Sequence, residues 1–90
     1  RFQADSYQVM EQYIATFHTH LAALRTCNAL KKQGVSDARL APVPRKLSSS
    51  CGTCAMYQGT DPMLACMDVD VEAVYRREGE GYVLLHKGED

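Results

Sequence analysis

Tyr13-Ile14-Ala15-Thr16-Phe17 is the stretch from which the fold can be predicted most directly, and His18-Thr19-His20 follows it. The run is rich in β-branched and aromatic residues and has the length of a strand. Thr19 then offers a hydroxyl that can cap the amino terminus of a helix. The stretch therefore predicts a strand that passes directly into a helix.

The predicted helix extends from His20 to Gln33. Its apolar positions recur at helical spacing and share one face: Ala23, Leu24, Cys27 and Leu30. Two lysines lie in the last turn, where cations complement the helix dipole, and Gly34 supplies a left-handed end. Cys27 is therefore expected in the core.

Further along the chain, three segments read as strands: 35–43, 54–58 and 82–86. Between the last two, Asp61-Pro62 is a typical helix start, because Asp can cap and Pro fits the first turn. Apolar residues then recur at helical spacing as far as Tyr75, which predicts a second helix ended by Gly79 and Gly81. Several β-branched residues in this segment leave a strand over residues 64–69 as the alternative.

The resulting order is β-α-β-β-α-β. It predicts an α+β, ferredoxin-like sandwich, in which two helices cover one face of a four-stranded antiparallel sheet. Residues 1–11 are polar and weakly patterned, and we expect a flexible N-terminal tail there. Residues 12–88 are predicted to form a single domain of this kind.

Composition narrows the classes of function. The chain has 90 residues, a formal net charge of −1 and 46% hydrophobic residues, as expected of one globular domain. It shows neither an apolar run of membrane-spanning length nor an export signal, so we expect a cytoplasmic protein without a membrane partner. The basic stretch lacks interleaved aromatic residues, so nucleic acid is not an expected partner either.

The small net charge conceals two segments of opposite sign. Residues 25–46 carry six basic side chains against one acid, a charge of +5. Residues 61–90 carry eight acids against three bases, a charge of −5. The basic segment leads into a cysteine-containing loop, where it would favour an anion or an acidic partner.

That loop contains the main candidate site, Arg45-Lys46-Leu47-Ser48-Ser49-Ser50-Cys51-Gly52-Thr53-Cys54. Cys51 follows small polar residues, where a thiolate is more easily stabilised and approached than in an apolar core. Arg45 and Lys46 would favour that thiolate. The backbone N–H groups and hydroxyls of Ser48, Ser49 and Ser50 could surround an anion, and Gly52 would allow a sharp turn.

The Cys51-x-x-Cys54 spacing allows three kinds of chemistry. A single reactive thiol on Cys51 could carry a persulfide or selenylsulfide, with Cys54 as the thiol that resolves it. A dithiol redox or regulatory module is the second, although Cys54 enters a predicted strand and not the helix of a thioredoxin motif. The third is a zinc site formed by Cys51, Cys54 and Cys66. A structural domain with incidental thiols, which would alkylate slowly, also stays open.

The segment Pro42-Val43-Pro44-Arg45, followed by Ser48-Ser49-Ser50-Cys51-Gly52, resembles the small selenium/sulfur (Se/S) carrier protein-like domains. The resemblance extends from about Gln12 to Tyr82. It implies that Cys51 corresponds to the cysteine that this family conserves, and that the protein is a carrier associated with selenium metabolism. Thr53-Cys54 is a departure, because the family usually continues with apolar residues after Cys-Gly.

Taken together, these observations predict a carrier of sulfur or selenium on Cys51, without turnover of its own as an enzyme and without a cofactor. Its partners would be a cysteine desulfurase-like donor and an acceptor protein. The sequence leaves open whether the domain also forms a homodimer through an exposed sheet edge. The alternative is a metal-binding or dithiol module that uses Cys51, Cys54 and Cys66, with zinc as the metal.

Overall fold

A five-stranded antiparallel sheet and one α-helix make up the fold in the computed structural model, which describes residues 10–88. The strands are β1 (Glu11–Phe17), β2 (Arg39–Pro42), β3 (Thr53–Gly59), β4 (Val71–Glu78) and β5 (Gly81–Lys87). The helix α1 spans His20–Lys32, and a single 3-10 turn spans Leu64–Cys66. In the sheet the strands follow the order β2-β3-β1-β4-β5, so β1 is central.

The β1–α1 unit confirms the prediction made from the opening stretch. The Thr19 hydroxyl caps α1 by accepting a hydrogen bond from Ala22 N at 3.1 Å. Caps of this kind contribute about 1 kcal/mol. Beyond the end of α1, Gly34 has φ +96°, a backbone conformation that glycine adopts without steric cost. The boundaries of α1 therefore follow from local sequence.

The core lies between α1 and one face of the sheet. Its buried members come from β1, α1, β3 and β4, together with Ala38 just before β2: Tyr13, Ala15, Phe17, Ala22, Ala23, Cys27, Leu30, Ala38, Ala55, Tyr57, Val71 and Val74. The rings of Tyr13 and Tyr57 pack with centroids 5.3 Å apart. Cys27 is 3% exposed, which confirms its predicted place in the core, whereas Leu24 is exposed on the surface of α1.

The predicted second helix is wrong, and with it the ferredoxin-like sandwich of four strands and two helices. The connection from β3 to β4 contains only the 3-10 turn Leu64–Cys66, and the chain from Val71 onwards is the strand β4. The alternative strand over residues 64–69 does not form either. Valine and tyrosine pack well on a sheet, and Gly79, at φ +61°, begins the two-residue turn of a β4–β5 hairpin.

The predicted division into a tail, residues 1–11, and a single domain, residues 12–88, stays a prediction. Residues 1–9 of the expected tail lie outside the described residues, but Glu11 already belongs to β1 and pairs with Gly59. β2 is shorter than predicted, and it lies at an edge of the sheet, as expected for a strand that ends at Pro42. Among residues 10–88, no helix combines the length and the apolar character that crossing a bilayer requires.

The second face of the sheet has no helix on it within the described residues. Instead, residues 43–52, here named the cysteine loop, leave β2 and cross this face. The loop donates hydrogen bonds to Phe17 O at the end of β1, to the Glu72 carboxylate on β4 and, through Lys46, to Glu80 O in the β4–β5 turn. Thr16, whose side chain faces away from α1, is buried on this face and lines a cavity together with Ser48 of the loop.

Candidate functional site

Cys51 lies at the end of the cysteine loop, just before β3 begins at Thr53. Its side chain is half-buried, and its sulfur donates a hydrogen bond to Thr53 O at 3.3 Å. The Ser49 hydroxyl oxygen is 3.9 Å from the same sulfur. The thiol is therefore oriented by two nearby oxygens while part of it stays accessible to solvent.

Gly52 provides the turn that separates Cys51 from the sheet. Its φ is +74°, a value that side chains other than glycine rarely adopt. Its carbonyl accepts a hydrogen bond from Val43 N at 3.2 Å, which closes the two ends of the loop on each other. This turn allows the chain to enter β3 immediately after presenting Cys51.

The three serines differ in their contacts. Ser49 Oγ donates to Phe17 O at 2.9 Å, and Ser50 Oγ donates to Glu72 Oε2 at 2.7 Å. Ser48 is exposed and lines a cavity of about 270 Å³ beside Thr16. Two of the three predicted anion-binding hydroxyls thus attach the loop to the sheet, and only Ser49 also lies near the Cys51 sulfur.

Glu72 is the carboxylate to which Ser50 of the loop is hydrogen-bonded. Partial burial favours its neutral form, but the hydrogen bonds from Ser50, the nearby Ser49 hydroxyl and the nearby His18 ring outweigh that effect and lower the pKa of its carboxyl. His18 Nδ1 lies 3.3 Å from Glu72 Oε2. On the other side of Cys51, His20 Nδ1 lies 3.3 Å from the Thr53 hydroxyl. The start of α1 therefore borders the site.

Arg45 and Lys46 were predicted to support the Cys51 thiolate. Arg45 is exposed in the loop, and Lys46 is directed to the Glu80 carbonyl in the β4–β5 turn. Within residues 10–88, the hydrogen-bond partners of the Cys51 sulfur are Thr53 O, which accepts from it, and Ser49 Oγ. The two basic residues contribute positive charge to the loop without a direct contact to the thiol.

Cys54 has surroundings opposite to those of Cys51. It lies within β3, paired with Thr16 on one side and Ala41 on the other, and its side chain is 0% exposed. Burial, together with the neighbouring thiols Cys27 and Cys51, raises the pKa of Cys54 to about 11. Cys54 is therefore a neutral thiol at physiological pH, and attack by it on another sulfur requires that it first become exposed.

The remaining thiols lie on the other side of the sheet. All four cysteines are free. Cys66 is half-buried in the 3-10 turn and packs against the core, while burial raises the pKa of the Cys27 thiol. In the part of the chain that the structure describes, no three His, Cys, Asp or Glu side chains form a metal-binding group. The zinc alternative over Cys51, Cys54 and Cys66 stays a prediction.

Sequence reasoning missed Glu72 and the contacts of His18 and His20. Glu72 falls within the predicted second helix, which does not form. No sequence signal pairs Glu72 with Ser50, because the contact depends on β4 lying beside β1. Only the tertiary arrangement brings these groups to Cys51.

Comparison with known proteins identifies the family. The family described as "Putative Se/S carrier protein-like" matches residues 12–75, a segment that includes most of β1, all of α1 and the cysteine loop, and part of β4. The chain belongs to this Se/S carrier protein-like family. The resemblance seen around Cys51 in the sequence is thereby confirmed.

A curated relative of this Se/S carrier-like chain gives a similar indication. The chain is 32% identical over 86 residues, 89% of its length, to a protein of Aquifex aeolicus (strain VF5) named "Putative sulfur carrier protein". The match spans less than half, 44%, of that relative's own length. No solved structure matches the chain.

Proposed function

We propose that this protein carries a sulfur or selenium atom on the Cys51 sulfur between a donor and an acceptor protein. The proposal is supported chiefly by the half-exposed position of Cys51 at the end of a polar loop, in a chain whose family is named for Se/S carriage. Cys27 and Cys54 are buried and have raised pKa values, so neither is a comparable nucleophile.

The transfer needs no external oxidant when the donor is itself a persulfide. The Cys51 thiolate attacks the outer sulfur of the donor persulfide, a new S–S bond forms, and the donor cysteine leaves as a thiolate. The proton stays on the outer sulfur. In the second step a nucleophile of the acceptor attacks that outer sulfur, and the electron pair of the S–S bond returns to Cys51. Selenium in the outer position follows the same steps.

The contacts of Cys51 suit such a carrier. In the unloaded protein Thr53 O accepts from the thiol, and the Ser49 hydroxyl can rotate to donate to the Cys51 thiolate that is left after transfer. Since Gly52 turns the chain into β3 at once, the sulfur is held on a short, well-anchored segment. The protein then needs no turnover of its own, because its partners supply the reaction at each end.

The donor is proposed to be a cysteine desulfurase-like enzyme, which would dock on the face of the sheet opposite α1. A cleft of about 130 Å³ on this face is bordered by the basic residues Arg39 and Arg77. Neither guanidinium forms an ion pair within residues 10–88. An acidic partner surface would pair with them, so transfer should weaken as the salt concentration rises.

Intact-mass spectrometry tests the carrier proposal. After incubation with a cysteine desulfurase and cysteine, the wild-type protein should gain the mass of one sulfur atom, and Cys51→Ala should gain none. Cys66→Ala is the matched control, because Cys66 is also half-buried and free, and it should load like the wild type. Equal loading of Cys51→Ala and wild type would refute the proposal. Stoichiometric zinc in freshly reduced protein, lost in Cys54→Ala, would support the metal alternative instead.

A further inference from the structure

Glu72 occupies an irregular position in the sheet. In the pairing of β1 with β4, Thr16 lies opposite Ala73 and Phe17 lies opposite Val71, so Glu72 has no partner on β1. It is the extra residue of a β-bulge, and bulges redirect a side chain out of the regular alternation of a strand. The backbone is still held on the far side, where Gly88 N donates to Glu72 O at 2.8 Å.

The Glu72 carboxylate holds Ser50, the residue next to Cys51, through two hydrogen bonds. Ser50 N donates to Glu72 Oε1 at 3.1 Å, and Ser50 Oγ donates to Glu72 Oε2 at 2.7 Å. His18 Nδ1, at 3.3 Å from Oε2, adds a third contact from the β1–α1 junction. The Glu72 side chain is only 20% exposed. Hydrogen bonds to a partly buried carboxylate are among the stronger polar contacts in proteins.

The loop held in this way begins beside Cys54. The Cys54 side chain is fully buried on the face opposite α1, and its sulfur donates to Pro42 O at 3.7 Å, at the point where the loop departs from β2. Among residues 10–88, the cysteine loop is the segment that crosses this face. Lifting the loop would therefore expose Cys54 without disturbing Cys27, which lies beneath α1.

We propose that Glu72 is a positioning residue, which holds the cysteine loop on the sheet through Ser50 and thereby keeps Cys54 away from an atom carried on Cys51. The holding role concerns the unloaded protein and is independent of function. The protective role rests on the proposed function, because it applies only when Cys51 carries sulfur or selenium.

The protection concerns a defined reaction. If the loop lifts, Cys54 loses its proton to solvent and its thiolate attacks the inner sulfur of the Cys51 persulfide. A Cys51–Cys54 disulfide forms, the persulfide S–S bond breaks, and the outer sulfur leaves as hydrosulfide. Electrons balance without an added oxidant, since the persulfide is the species reduced. With the loop in place this loss of cargo is prevented, and a partner that displaces the Glu72–Ser50 contact could trigger it.

Thiol alkylation of the unloaded protein tests the holding role. Rates at all four cysteines are followed by iodoacetamide labelling and peptide mapping in wild type, Glu72→Ala and Glu72→Gln. Loss of the charged hydrogen bonds in Glu72→Ala should speed labelling of Cys54 roughly tenfold or more. Cys27 should keep its wild-type rate, and Glu72→Gln, which retains one carbonyl acceptor, should restore part of the protection. Glu78→Ala, on the same strand but paired with Arg76, is the control and should resemble wild type.

Two results would overturn the holding role. One is an unchanged Cys54 rate in Glu72→Ala. The other is equal acceleration of Cys27 and Cys54, which would mean that the variant destabilises the whole domain. Cys27 therefore separates a local effect of Glu72 on the loop from general unfolding.

Sulfide release from loaded protein tests the protective role. Loaded Glu72→Ala should release sulfide and form the Cys51–Cys54 disulfide faster than loaded wild type, and Glu72→Ala with Cys54→Ala should keep its cargo. Equal release from both variants would refute protection against Cys54. If no variant loads at all, the carrier function fails, while the alkylation result still decides the holding role.

Discussion

Cys51 and Cys54 are close in sequence but lie in two different regions, the end of the cysteine loop and the interior of the sheet. The loop thiol is half-buried and contacts two oxygens, whereas the strand thiol is fully buried and has a pKa of about 11. The comparison shows that a Cys-x-x-Cys spacing does not by itself define a dithiol site. Strand β3 begins at Thr53, between the two residues, so Cys51 stays in the loop and Cys54 lies within the sheet. Each thiol therefore has its own chemistry.

The largest expected difference is in thiol reactivity. At neutral pH, Cys54 should react with iodoacetamide at least roughly 100-fold more slowly than an exposed cysteine, because its thiolate is scarce and solvent does not reach it. Cys51 should be the first of the two to be labelled. Time-resolved intact mass with peptide mapping measures both rates. Similar rates at the two positions would contradict the contrast.

The next effect is on stability, where replacing the buried Cys54 should cost more than replacing the more reactive Cys51. Cys54→Ala removes a buried sulfur beneath the loop and should lower the free energy of unfolding by about 1–2 kcal/mol. Cys51→Ala removes a half-exposed side chain and should change it by no more than about 0.5 kcal/mol. Urea denaturation of both variants measures the difference. A larger loss in Cys51→Ala would show that the loop thiol is the structural one.

Gly52 lies between the two regions, and Gly52→Ala should lower the free energy of unfolding by about 1 kcal/mol. In Gly52→Ala the new Cβ meets no atom within 4 Å, so the cost comes from the left-handed φ of +74°. Gly59→Ala, at the other end of β3, is the control: its φ is not in the left-handed region, and its Cβ would make only an ordinary 3.5 Å contact with Asp61 O. Denaturation midpoints that fall equally in both variants would argue against strain at Gly52.

The smallest effect concerns alkaline pH. Cys54 has a pKa of about 11 in the folded protein, above the value of about 8.5 for an unfolded thiol. Its contribution to stability is therefore complete below about pH 8.5 and declines as the pH rises toward 11. Cys54→Ala should lose this part of the pH dependence, and Cys51→Ala should retain it. Melting temperatures across this pH range provide the measurement, and an unchanged slope in Cys54→Ala would contradict the assignment.

The extent to which the sequence predicts this protein differs between its two halves. In the first half, Thr19 and Gly34 mark both ends of α1, and the run before Thr19 is a strand, because these signals act on neighbouring residues. In the second half, Asp61-Pro62 and the helical spacing as far as Tyr75 predict a helix that does not form. The valines of β4 are instead stabilised by pairing with β1, and Gly79 turns the chain into β5.

The candidate site shows the same division. The sequence alone indicates Cys51 as a thiol in a polar segment and Gly52 as a turn residue. It does not indicate that Ser50 binds Glu72, nor that Lys46 contacts the β4–β5 turn. Ser50 and Glu72 are 22 residues apart along the chain, and Lys46 and Glu80 are 34 residues apart. Each pair comes together only when the loop crosses the sheet, and no local sequence pattern predicts that crossing.

The sequence by itself thus determines the opening strand and helix, the polar loop around Cys51 and membership of a carrier family. These features depend on short-range backbone preferences and on the residue types of one continuous motif. The tertiary structure alone decides that β4 is a strand, that the loop covers the face opposite α1, and that Cys54 is buried while Cys51 is not. Each of these depends on contacts between segments distant in sequence, whose stability comes from packing and from hydrogen bonds that form only in the folded sheet.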